Sequence, residues 1–179
     1  MATKTLLVPS NLAFKEALRE KEADMLEIKP AAAHDAPVAF DIRREAIRSQ
    51  CIGAYTREQM MIWTRGNADD GYSALMAKPF YLGWVQGEPV VTGMLDLHNN
   101  ELGAIFVRPG YTGHGYAKAM LEHLENLARQ LAIETVVLDA TLNAASFYRA
   151  CGYEGDEQAV YHSPSGLVLA CIPMTKRLA

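Results

Sequence analysis

Apolar positions recur along this chain with two different periods, and each change of period marks a change of element. Met25 to Pro30 alternates as a strand and ends at proline. Val38, Ile42, Ala46 and Ile47 then fall on one face of a helix, with Asp35 placed to cap it and Pro37 in its first turn. Arg43, Arg44, Glu45 and Arg48 are expected to form its solvated face. Thr56-Arg57-Glu58-Gln59 has the form of a capping box for a second helix, which Gly66-Asn67 ends. Tyr55, Met60, Met61 and Trp63 around it suit either an acceptor pocket or plain core packing. Phe80 to Val85 and Val90 to Leu97 read as antiparallel strands, joined by the hairpin signal Gln86-Gly87-Glu88-Pro89.

A third apolar run, Leu102 to Val107, follows the turn His98-Asn99-Asn100. It stops at Arg108-Pro109-Gly110, where proline removes a ladder donor and glycine permits a turn. The period then changes to that of a helix. Ala117, Met120, Leu121, Leu124, Leu127, Ala128 and Leu131 share one helical face. Thr135 to Leu138 is continuous and β-branched, which predicts a strand buried on both faces. Asn143 to Cys151 predicts a short helix closed by Gly152, and Val168 to Cys171 with Met174 a late strand. The order is strand, two helices, three antiparallel strands, helix, strand, helix, and one or two strands. It describes a mixed-sheet α/β (α+β) domain.

Half of the 179 residues are hydrophobic, enough for one domain with an adequate core. That domain is expected over residues 24–179. Residues 1–23 read as an extension of unknown role, packing back on the domain or on a second copy in a homodimer. The net charge of −4 argues against nucleic acid as a main partner. Cys51, Cys151 and Cys171 are widely spaced and odd in number, as reduced, buried thiols are. No apolar run approaches the roughly 20 residues that span a bilayer, and no secretory signal opens the chain, so a cytoplasmic location without membrane contact is expected. The scattered histidines offer no metal-ligand spacing.

Between the third strand and the long helix, Gly113 and Gly115 lead directly into the helix N-terminus. Several N–H groups there converge at the positive end of the helix dipole, a place suited to a phosphate or pyrophosphate. No Lys-Ser/Thr follows the last glycine, so this is not a Walker loop. The run Val107-x-Pro109-x-x-Thr112-Gly113-x-Gly115-x-Ala117 resembles the acetyl-CoA pyrophosphate loop of the GNAT acyltransferase superfamily, usually Arg/Gln-x-x-Gly-x-Gly/Ala. Thr112 stands where that family has Arg or Gln. Downstream, Leu138 to Tyr153, with Asn143, Phe147-Tyr148 and Gly152-Tyr153, resembles the family's second signature, in the expected order.

The resemblance implies a mostly antiparallel sheet with one splayed parallel strand pair, flanked by helices. It implies acetyl-CoA as cosubstrate and no metal. The pantetheine arm is expected along the backbone of Ile105, Phe106 and Val107, and the pyrophosphate on Thr112, Gly113, His114, Gly115, Tyr116 and Ala117. Asn143 and Tyr148 are expected to flank the arm, with Tyr148 as the acid that protonates the departing thiolate. Thr112 cannot supply the usual amide or guanidinium, so weaker cofactor binding is expected. Glu101 resembles in position the catalytic glutamate of some members and is the candidate base, with Asp96, His98 and Tyr161 as rivals. The expected activity is N-acetylation of a primary amine, of a small molecule rather than a basic peptide. A non-catalytic acyl-CoA sensor with the same fold is the alternative.

Overall fold

A computed structural model of the chain describes residues 25–69, 71–163 and 166–178. The extension expected over residues 1–23 lies outside them. Seven strands form one sheet: β1 (Glu27–Pro30), β2 (Phe80–Val85), β3 (Glu88–Asp96), β4 (Glu101–Val107), β5 (Thr135–Thr141), β6 (Ala159–His162) and β7 (Val168–Arg177). Their order across the sheet is β1-β2-β3-β4-β5-β7-β6. Among the described residues β4 and β5 are the one parallel pair, and every other neighbouring pair is antiparallel. The helices are α1 (Ala36–Gln50), α2 (Arg57–Trp63), α3 (Tyr116–Gln130) and α4 (Ala145–Ala150).

Local chemistry accounts for most of these boundaries. Gln86 and Gly87 both take positive φ, 51° and 80°, and so form a two-residue turn whose twist matches the strands. Val85 therefore pairs with Glu88, and β3 begins two residues before its apolar run. The Thr56 capping box is present in both directions, with the Gln59 N–H donating to Thr56 Oγ1 and the Thr56 N–H to Gln59 Oε1. Asp35 sits at the N-cap of α1, but its carboxylate turns back to accept from the Ala32 N–H at 2.8 Å and caps the preceding turn instead.

Two core layers sandwich the sheet. On one face α3 places Met120, Leu121, Leu124 and Ala128 in a cluster that includes Val91, Leu95, Leu102 and Leu138. Close approach there depends on Gly93, because an added Cβ would lie 2.5 Å from Met120 Cγ. On the other face Ala39 and Ile42 of α1 cluster with Phe80, Leu82 and Met94, while Ile47, Tyr55 and Trp63 gather around Leu169.

Two expectations are corrected. β5 is not buried on both faces: Val136, Leu138 and Ala140 are buried, but Thr135, Val137 and Asp139 are exposed. α1 packs over β3 and β4 and leaves this face of β5 open. Nor is Arg43 part of a solvated face. Its guanidinium donates to the Trp63 carbonyl at 3.0 Å and lies within 6 Å of the rings of Phe40, Trp63 and Tyr72. Burial holds its pKa below the usual arginine value.

Candidate active site

The site is organised by one irregularity in β4. Thr92 pairs with Phe106 and Met94 with Gly103, so Ala104 and Ile105 together oppose Gly93. This is a β-bulge, which bends its strand and leaves one residue outside the ladder. Ala104 takes a φ of 53°, a conformation that disfavours any side chain, and its carbonyl accepts the Thr92 hydroxyl. On the other side of β4 the parallel pairing with β5 reduces to Glu101 opposite Val137. The Val137 N–H donates to the Asn100 carbonyl at 3.0 Å, and beyond that bond the strands part.

Two cavities open at this gap and share Leu102, Gly103, Ala104, Phe106, Asp139 and Thr141 as a common wall. The first is lined also by Ile105, Asn143, Tyr148, Gln50 and Cys51. The second adds Glu101, Tyr55, Trp63, Tyr161 and Cys171. The two cavities adjoin along this wall, which carries the bulge.

The first cavity gathers Ile105, Phe106, Asn143 and Tyr148 from three parts of the chain. Tyr148 is half-buried on α4, with the rings of Phe147 and Tyr153 edge-on at 5.1 and 5.7 Å. Burial pushes its phenol pKa well above the ordinary value. The hydroxyl therefore stays protonated at neutral pH, as a proton donor must. Asn143 is exposed at the rim. Val107 is placed differently: it is buried away from the cleft, and its carbonyl accepts from Gln50 Nε2 at 2.7 Å.

Past the end of β4, Gly113 and Gly115 adopt φ values of 80° and 82°, and Gly115 is the N-cap of α3. No atom lies within 4 Å of a Cβ built on either, so open space faces this turn. The first N–H groups of α3 lack intrahelical acceptors. The Thr112 hydroxyl donates to the Pro109 carbonyl at 3.0 Å and closes the turn. His114 stacks on Tyr116 at 5.6 Å, with Nδ1 3.0 Å from the Thr112 carbonyl. Tyr116 buries its ring, so only its backbone is presented, and Ala117 is half-buried behind it. These loop residues lie outside the two cavities, beyond the end of β4.

Glu101 lines the second cavity half-buried. Burial raises its pKa first, the neighbouring charges of Asp139 and Asp96 raise it further, and Lys78 opposes them. Its rivals fare unequally. Asp96 accepts from Lys78 Nζ at 2.6 Å and from the His98 N–H, which hold its carboxyl below the usual range in a structural role. His98 is exposed in the turn. Tyr161 does line the cavity, with its phenol raised chiefly by burial. Of the four apolar residues flagged near α2, Tyr55 and Trp63 form cavity wall, Met60 is core and Met61 is exposed.

Sequence reasoning missed two features. Asp139 lines both cavities, and its signal was an acidic residue inside the apolar run Val136 to Ala140. The bulge gave no signal, because its left-handed residue is alanine rather than glycine.

A family model described as the acetyltransferase (GNAT) family matches residues 45–153. The chain belongs to this family. Its members are acetyl-CoA-dependent acyltransferases, and the fold implied by the two signatures is the one observed. Among solved structures, the chain is similar to a GCN5-related N-acetyltransferase from Rhodopseudomonas palustris, with a TM-score of 0.77 and 25% identity over 87% of this chain and 97% of that one. It shares its fold with the PaiA N-acetyltransferase of Thermoplasma acidophilum, solved with coenzyme A, at a TM-score of 0.68 and 17% identity over 86% and 99% of the two chains. The same holds for a phosphinothricin acetyltransferase of Sinorhizobium meliloti, solved with acetyl-CoA, at 0.61 and 17% over 86% and 89%. No curated protein matches the chain in sequence. Among the described residues no group of three or more His, Cys, Asp or Glu is arranged to hold a metal ion, and no helix is long and apolar enough to cross a membrane.

Proposed function

We propose that this GNAT protein moves the acetyl group of acetyl-CoA to the primary amine of a small molecule, by direct attack within the β4–β5 gap. The observation that carries this reading is the pair of adjoining cavities: Tyr148 lines one, Glu101 the other, and the bulge at Ala104 lies in their shared wall. The bulge and the parting of the strands leave β4 backbone groups without ladder partners. A pantetheine arm, itself a chain of amides, takes them as an added strand does, along Ile105 and Phe106. The pyrophosphate then rests on the N–H groups of Gly113 to Ala117. Val107 contributes shape alone, its carbonyl being held by Gln50.

In the reaction the amine nitrogen bonds to the thioester carbonyl carbon, and the carbon–sulfur bond breaks. The Tyr148 hydroxyl gives its proton to the leaving thiolate and regains one from solvent. The proton lost by the ammonium passes to Glu101, directly or through water. Tyr148→Phe tests the scheme. It should lower kcat about 100-fold while the KM for acetyl-CoA changes little, because only an interaction made in the transition state is removed. Wild-type turnover in this variant would contradict the assigned role.

A further inference from the structure

The acceptor half of the cleft is unusual in its charge. Two carboxylates line it, Glu101 on β4 and Asp139 on β5, and the charge of Asp139 acts on Glu101 as a like charge. Among the described residues, neither carboxylate has a hydrogen bond or an ion pair. Two basic side chains stand nearby, and both are committed elsewhere. Lys78 is bound to Asp96 at 2.6 Å. Arg43, which Tyr161 also senses, is held by the Trp63 carbonyl and by three aromatic faces, and it does not line the cavity. Tyr55, Trp63, Phe106 and Tyr161 give the cavity aromatic walls, with Thr141 beside them.

We infer that the acceptor is a cationic amine with an apolar body and no anionic group, its ammonium received between Glu101 and Asp139 and its body packed among the aromatic walls. This rests on the transferase reading above and names its substrate class. A like-charge pair facing a cavity without a counter-cation is relieved when a cation enters, and the same pair repels an acceptor that carries its own carboxylate. Aromatic faces favour both the apolar body and the positive charge. Asp139 is then a positioning residue for the amine, separate from the proton transfer assigned to Glu101.

The test compares matched acceptors at saturating acetyl-CoA: phenethylamine against phenylalanine, and hexylamine against 6-aminohexanoate. Each amine should exceed its carboxylate-bearing partner in kcat/KM by about 100-fold or more, since juxtaposed like charges cost several kcal/mol. Asp139→Asn should raise the KM for phenethylamine about tenfold, with a smaller fall in kcat as the Glu101 pKa relaxes, and should narrow the gap to phenylalanine. Asp139 is exposed, so this variant keeps the core intact. Equal or better turnover of phenylalanine and 6-aminohexanoate would overturn the inference and leave acetyl transfer standing. No turnover of any member, with acetyl-CoA binding confirmed by calorimetry, would overturn the inference and the transferase reading together.

Discussion

Glu101 and Tyr148 are shifted in the same direction by the same cause, burial, and the consequences are opposite. A raised pKa keeps the phenol a donor and makes the carboxylate a better base. An alkyl ammonium has a solution pKa near 10, so a base is needed at neutral pH. Glu101→Gln keeps size and polarity and removes only basicity. Its kcat/KM for the amine should fall at neutral pH and recover as pH rises toward the amine pKa; a profile identical to wild type would exclude Glu101. The same shift bears on stability. A carboxyl whose folded pKa lies above its ordinary value of 4.5 favours the folded state below that value. The contribution is lost as pH rises through the folded pKa, so ionised Glu101 destabilises the protein at neutrality. Glu101→Gln should therefore unfold at a higher temperature than wild type at pH 7, with the difference vanishing near pH 4. A group that lowers activity and raises stability when replaced belongs to a functional site rather than to the fold.

At the scale of elements, the contact of α3 with β3 is the most constrained. Gly93→Ala should destabilise the protein by about 1–3 kcal/mol, read from denaturant unfolding, because the added Cβ meets Met120 in a filled core. Unchanged stability would mean that α3 can move outward freely. Elements written in local chemistry were legible beforehand: the capping box at Thr56, the hairpin at Gln86-Gly87, the amphipathic face of α3 and the glycines before it. What escaped was set by tertiary neighbours. The β5 run looked doubly buried because its residues are β-branched, yet among the described residues no helix covers the face that carries Val137 and Asp139. Arg43 looked solvated because charge usually is, but three aromatic rings from separate segments surround it. The bulge at Ala104 is held by Thr92 across the sheet, and no residue at the bulge itself announces it. Tyr148 and Asn143 were visible through the second family signature and Glu101 through its resemblance in position to the glutamate of some members, whereas Asp139 was given no role until the cavities were seen.

For the whole molecule, one sheet keeps α1 and α2 on one side and α3 and α4 on the other, and it opens along the β4–β5 seam. The seam brings Tyr148 and Glu101, the proposed proton donor and acceptor, to adjoining cavities, and the glycine turn before α3 follows the end of β4. It also places thiols there. Cys51 lines the half that holds Tyr148 and Cys171 the half that holds Glu101. A thiol in such a position invites an acetyl-enzyme route. Burial, however, pushes Cys51 up to about 11 and raises Cys171 as well, so neither presents the thiolate that the route needs at neutral pH.

Direct attack across the seam is thus the central claim, and two-substrate initial-rate kinetics test it most directly. Rates are measured over a grid of acetyl-CoA and phenethylamine concentrations, alongside the intact mass of protein incubated with acetyl-CoA alone. Direct attack predicts intersecting double-reciprocal lines and a protein that retains no acetyl group. Parallel lines, with an acetyl group on Cys51 or Cys171 that the amine then removes, would contradict it.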